Sequence, residues 1–286
     1  SRDNEIKKLL LEYFKNKIKS VKKEKKHLIH EIDTIIHIKA ICETEKLETC
    51  KEINISNLLD SVGEFAYDVA NYSEALEYYQ KSYEIREKVY AENKIHPDIA
   101  EYLNNIGAVY SKKSDYDKAL EYYKKSYDIL KKVYDDNPNH PDIAVLLNNI
   151  GNVHYKKSDY DKALEYYKKS YEIEREVYYD NPYHPDIAAS LNNIGAVYSD
   201  KSDYDKALEY YQKSYKIREK VYANNKIHPD IAKSLNNIGL VYFDKGDYDE
   251  ALKNLEESYE ILNEVYAYNL NHPDIAESLN NIGAVY

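Results

Sequence analysis

From residue 97 onward, apolar and polar positions fall into two helical phrases that return along the chain. In one copy Leu103, Ile106, Gly107 and Tyr110 recur at steps of one, three and four, the spacing of a single helix face. Pro97, tolerated in a first helical turn, and Asp98, matched to the positive helix end, predict where that helix starts. Lys113, Ser114 and Asp115 form a polar turn, after which Tyr116, Ala119, Leu120, Tyr123, Ser126, Tyr127, Ile129 and Leu130 predict a second helix. Its end falls near Asp135 to Pro141, where asparagine and two prolines break the pattern.

Glycine sets the period: Gly63, Gly107, Gly151, Gly195, Gly239 and Gly283 stand 44 residues apart. Around them LNNIGAVY at 103–110 returns with small changes at 147–154, 191–198, 235–242 and 279–286. A His-Pro-Asp-Ile-Ala run opens each copy, at His96, His140, His184, His228 and His272. Such self-similarity predicts an all-α fold, an α-solenoid of stacked helix-turn-helix units that bury their apolar faces against neighbours. The units span 53–95, 96–139, 140–183, 184–227 and 228–271, with 272–286 opening a sixth. The first lacks His-Pro and reads as an end unit, while the stop inside the sixth is what a fragment would show.

Residues 1–52 precede the array as a helical segment without Gly or Pro. Leu11, Phe14, Ile18, Val21, Leu28, Ile32, Ile35 and Cys42 recur at heptad-like steps, interrupted at Lys25 and Lys39. Three readings stand open: a cap over the first unit's apolar face, a coiled coil that joins a partner or a second copy, and a basic amphipathic helix on an anionic surface.

Composition narrows the function. Seven Gly, seven Pro and 32% charged residues in 286 suit helices. No uncharged apolar run approaches the length of a transmembrane helix. The net charge of −11 is uneven: residues 1–30 carry +6, leaving −17 on the rest. So acidic a body opposes nucleic acid and favours neutral or basic partners. Cys42 and Cys50, eight apart, match neither a disulfide framework nor a zinc spacing, and point to reduced thiols in a cytoplasmic setting.

Catalytic and cofactor signatures are missing from the text. There is no phosphate-binding glycine loop, nucleophile elbow or HExxH, so neither an enzyme nor a cofactor is expected. The five repeat histidines each precede a helix one unit apart, which suits caps and turns, not a shared metal ion. His27, His30 and His37 with Cys42 offer no tetrahedral set at the usual spacing. Tyrosines such as Tyr110, Tyr116, Tyr123 and Tyr127 fall at packing positions, with hydroxyls at the wet edge.

Leu103, Ile106, Gly107, Tyr110, Tyr116, Ala119 and Tyr123, with Ser126 where alanine is usual, resemble a tetratricopeptide repeat. The long period and the HPDIA and LNNIG phrases are similar to those of kinesin light chains and nephrocystin-3-like arrays, over residues 53–286. Departures are Ser114, Ser158 and Ser202 where the family's turn glycine would lie, restored at Gly246, and an inter-unit loop two residues longer.

The resemblance implies a concave groove lined by first helices. About 100° per residue then puts Asn104, Asn105, Asn148, Asn149, Asn192, Asn193, Asn236 and Asn237 into that groove, as a ladder of amides able to grip a peptide backbone. The competing reading is that one member of each pair bonds the neighbouring helix and orders the stack. Positions that vary between copies would select side chains: Asp60, Glu64 and Asp68 as an acidic end; Lys112, Asn152, Tyr155 and Lys156 in the middle; and Leu240, Phe243 and Asp244 as a partly apolar end. A carboxylate clamp for chaperone tails would need Lys and Arg where Asn stands. The expected function is a non-catalytic scaffold or adaptor for an extended protein segment. Its alternatives are a sensor or regulatory arm of a larger signalling ATPase or protease, and a filament of stacked solenoid ends.

Overall fold

The computed structural model describes residues 52–91, 94–269 and 271–286. The three readings of residues 1–50, and both cysteines, lie outside the described residues. Among those described there are eleven helices and no strand: α1 Glu52–Asp68, α2 Tyr72–Val89, α3 Pro97–Lys112, α4 Tyr116–Val133, α5 Pro141–Lys156, α6 Tyr160–Val177, α7 Pro185–Asp200, α8 Tyr204–Val221, α9 Pro229–Lys245, α10 Tyr248–Val265 and α11 Pro273–Val285. Each odd-numbered helix is the first of a repeat and each even-numbered one the second.

The chain divides into two compact units, at Asp136 and Asn137. In the first, α1 pairs with α2 and α3 with α4, and α2 packs on α3. In the second, α5 pairs with α6, α7 with α8 and α9 with α10; α6 packs on α7, α8 on α9, and α10 on α11. Within each of these two units the core is the sum of such pairings, as expected of helices apolar on only one face.

Every first helix from α3 on begins the same way. Pro97 occupies the first turn, and His96 Nδ1 accepts the Asp98 backbone N–H at 3.2 Å. His140, His184, His228 and His272 repeat that cap. Tyr178, Tyr222 and Tyr266 stack on the histidine with ring centroids 3.5–3.6 Å apart, and Tyr90 does so at 3.8 Å. Each of these tyrosines donates its hydroxyl to the carboxylate of the aspartate two residues past the histidine. At these four places histidine, tyrosine and aspartate together clamp the loop between one repeat and the next.

The serine that replaces alanine in each second helix has a defined partner. Ser126 Oγ donates to the Ala100 carbonyl at 2.7 Å, and Ser170, Ser214 and Ser258 do the same to Ala144, Ala188 and Ala232. All four serines are fully buried, so each hydroxyl ties the two helices of one unit together where water cannot compete.

The turn between helices forces a left-handed residue. Ser114, Ser158 and Ser202 have φ of 62°, 59° and 58°, and Gly246 has 82° at the matching place. A Cβ there is unfavourable, whereas glycine adopts that conformation freely. Ser202→Gly should raise stability by about 0.5–1 kcal/mol, the strain relieved less the chain entropy that glycine adds, and Gly246→Ser should lower it by a similar amount. Denaturant midpoints that move the other way would remove strain from the account of these turns.

Candidate functional site

The face that first helices present is built around their paired asparagines. In the second unit these pairs form rungs. Asn237 Nδ2 donates to Asn192 Oδ1 at 2.9 Å and Asn281 Nδ2 to Asn236 Oδ1 at 2.8 Å, with Asn193 Nδ2 3.5 Å from Asn148 Oδ1. Each rung runs from the second Asn of one repeat to the first Asn of the repeat before, 45 residues back. The sequence places both members on one face and offers the neighbouring helix as a partner for one of them, but does not say which residue there receives the bond.

Partnering divides the pair. Asn148 Nδ2 lies 2.8 Å from Ser170 Oγ, 2.8 Å from Ser190 Oγ and 3.1 Å from Glu174 Oε1. With its oxygen on the rung from Asn193, the whole amide is engaged inside the fold, and Asn192 is itself buried. Asn193 and Asn237 are half-buried and use one amide proton on the rung, so a carbonyl oxygen and a second proton remain on each. Asn236 is half-buried as the acceptor of Asn281. In the first unit Asn104 and Asn105 are half-buried, as is Asn149 in the second.

The charged candidates differ in availability. Asp60 is half-buried and ion-paired to the buried Arg86 at 2.6 Å, and burial holds its carboxyl above the usual range despite that partner. Arg86 also donates to Asn57 at 2.8 Å and bonds Ser82. Glu64 is half-buried, while Asp68, Lys112, Lys156 and Asp244 are exposed, and the Lys112 ammonium sits 5.9 Å from the Tyr67 ring centroid. Asn152 accepts the Tyr167 hydroxyl at 2.7 Å, which spends its oxygen on packing. Tyr155 is half-buried against Tyr160. Leu240 and Phe243, expected to stand out as exposed apolar groups, are half-buried, and Phe243 packs on Tyr248 with centroids 6.0 Å apart.

One group missed by sequence reasoning is an interior position of the second helices, which reads Arg86, Leu130, Glu174, Arg218 and Leu262 at the 44-residue period, all of them buried. Glu174 is 3% exposed. Its Oε1 lies 3.1 Å from Ser170 Oγ and accepts from Ser190 Oγ at 3.0 Å, while Oε2 is buried without a partner. Burial pushes its carboxyl up to about 7; the Ser190 and Ser170 hydroxyls pull it down, Asp186 adds a smaller push upward, and Asn148 a smaller pull down. Arg218 Nη1 donates to Ser234 Oγ at 2.6 Å and to the Asp230 carbonyl at 3.1 Å. A charge at this register was legible in the repeat alignment; its burial was not.

Comparison with known proteins fits this geometry. A family model described as tetratricopeptide repeat matches residues 54–132, 142–220 and 230–286. No curated protein matches in sequence. Among solved structures, BtubC (BKLC) from P. vanneervenii is similar at 18% identity and a TM-score of 0.64, over 91% of this chain and 94% of that one. Kinesin light chain-type nearly identical TPR-like repeats from Podosopora anserina align at 16% identity and a TM-score of 0.58, over 75% of this chain and 98% of theirs. A Signal Transduction ATPase with Numerous Domains protein with a tetratricopeptide repeat sensor, from Pyrococcus horikoshii, aligns at 17% identity and a TM-score of 0.64, over 88% of this chain but 35% of that one. At these identities the likeness is one of fold.

Proposed function

The chain belongs to the tetratricopeptide repeat family, and from that premise we propose that it is a non-catalytic scaffold or adaptor, holding an extended segment of another protein along its first-helix face. The observation that carries this reading is the regular run of rungs in the second unit, which leaves hydrogen-bonding capacity on Asn193 and Asn237 one repeat apart. Backbone amides of an extended peptide suit such a row, because every residue offers one donor and one acceptor whatever its side chain. Variable neighbours would then set preference: Glu64, Asp68 and Lys112 in the first unit, Lys156, Leu240 and Phe243 in the second.

A protein or peptide partner, and not nucleic acid, suits the acidic body. Among the described residues no helix is long and apolar enough to cross a membrane, and a cytoplasmic setting is part of this proposal. Self-association through the N-terminal segment or the solenoid ends would add a second mode of contact. The second reading, a sensor arm of a larger signalling ATPase, draws on the repeat sensor of the Pyrococcus horikoshii protein; a phosphate-binding loop elsewhere in the same polypeptide would decide for it.

The test is an affinity pull-down with the array and with an Asn193→Ala/Asn237→Ala variant. Captured partners should be lost or weakened about tenfold, at roughly 1 kcal/mol or more per bond left unmade, at a temperature where the variant, which also loses the rungs to Asn148 and Asn192, is still folded by circular dichroism. Undiminished capture by the variant would remove the asparagines from the binding face.

A further inference from the structure

The last complete repeat carries a polar cavity that its predecessor fills from within. A space of about 400 Å³ lies between α9, α10 and α11, lined by Asn236, Asn237, Leu262, Asp274, Glu277 and Ser278 among others. Ser278 is 2% exposed, and its Oγ has no hydrogen-bond partner. A buried hydroxyl left unpaired is costly and uncommon.

Register explains the orphan. The residues 44 positions earlier are Arg218 for Leu262, Asp230 for Asp274 and Ser234 for Ser278. There the Arg218 guanidinium reaches both the Ser234 hydroxyl and the Asp230 carbonyl. One repeat earlier still, Glu174 takes the corresponding hydrogen bond from Ser190. In the repeat where this register of the second helix reads Leu130, the serine register reads Leu146, so the sequence changes both positions together. Leu262 with Ser278 is the mismatched pair: the serine is kept and its long polar partner is gone.

The walls select the sign of what could complete it. Asp230, Asp274 and Glu277 outnumber Lys233 around the cavity, and exposed Glu277 holds the register of Lys233 one repeat before. Asp274 already accepts the Tyr266 hydroxyl at 3.1 Å and stays anchored at the rim. A carboxylate like that of Glu174 would meet repulsion here, whereas a planar cation with several donors could bond the Ser278 oxygen and the Asp274 carbonyl as Arg218 bonds their counterparts.

The geometry points to a guanidinium-binding subsite formed by Ser278, Asp274 and Glu277 above Leu262, which receives an arginine side chain of the extended segment. This deepens the reading of the first-helix face as a peptide site and rests on it. Arg218 is the template for the occupant.

The experiment is calorimetric titration of short acetylated, amidated Ser/Ala peptides with a central Arg, Lys, Glu or Ala, and of N-acetylarginine methylamide. Wild type, Leu262→Arg and Ser278→Ala are compared. Leu262→Arg should fold, since Arg218 occupies the same register, and should plug the site from within. The Arg peptide should bind wild type about tenfold more tightly than the other three, the scale of one charged hydrogen bond. That preference should vanish in Leu262→Arg and shrink in Ser278→Ala.

Four equal affinities, or an Arg preference that survives Leu262→Arg, would overturn the subsite and leave the groove reading standing. A preference for Glu would overturn the assigned charge. If no peptide binds while N-acetylarginine methylamide binds wild type and not Leu262→Arg, the subsite holds for a free guanidinium compound and the groove reading fails. Silence from every probe overturns both.

Discussion

Gly151→Leu should lower the folding stability of the array by about 3 kcal/mol, at the upper end of ordinary overpacking. A Cβ placed on Gly151 would sit 2.7 Å from Cδ1 and Cε1 of Tyr167, far inside van der Waals contact. The ring has little room to retreat, because Tyr167 is 2% exposed and its hydroxyl is held by Asn152 at 2.7 Å. The same glycine-on-ring contact recurs at Gly63 with Tyr79, Gly107 with Tyr123 and Gly195 with Tyr211, while Gly239 meets the aliphatic side chain of Leu255 as closely. Removing the ring should relieve the strain, so Gly151→Leu/Tyr167→Ala should cost less than the sum of its two single changes. A Gly151→Leu variant with an unchanged denaturant midpoint would mean that this face is not packed as described.

Glu174→Gln should stabilise the protein at pH 8 by about 1–3 kcal/mol and change little near pH 4. The ordinary pKa is 4.5 and the folded one is about 7. Between those values the folded chain keeps a proton that the unfolded chain has lost, so this group's contribution to stability falls as pH rises across the window. Above pH 7 the folded state must carry a buried charge, at a cost of up to about 3 kcal/mol for a shift of this size. Glutamine removes that charge and keeps an oxygen for Ser190 and Asn148. Denaturant midpoints across pH 4–8 should slope downward in wild type relative to the variant. Parallel profiles would place Glu174 in a wetter site than its 3% exposure implies.

The two variants probe features that differed in how far they could be read from sequence. The predicted first helix from Pro97, the turn at Lys113 to Asp115 and the second helix from Tyr116 match α3 and α4, because proline, the polar turn and the apolar period are local properties. Leu103, Ile106 and Gly107 are buried as expected, whereas Tyr110 is half-buried and stacks on Tyr122. The asparagine face was legible as a face, and a bond from one Asn to the neighbouring helix as one of two readings, but not the residues the rungs join. Rungs step back 45 residues rather than 44, an offset set by how neighbouring first helices sit beside each other, which no single-helix projection contains. The burial of Glu174 and Arg218 was hidden for a related reason: charged residues on a second helix read as solvated, and only packing of three helices around them makes the position interior. Asp60 reads from sequence as a groove charge, whereas the fold pairs it with Arg86, 26 residues on, at 2.6 Å.

The central claim, that amides of the first-helix face hold the backbone of an extended segment, is tested most directly by titrating one bound peptide against its backbone N-methylated counterpart. N-methylation removes amide donors and leaves every side chain in place. The account predicts a loss of about tenfold or more with each methylated amide that faces Asn193 or Asn237, and no further loss once those asparagines are alanine. Equal affinity of the two peptides for the wild-type array would contradict it.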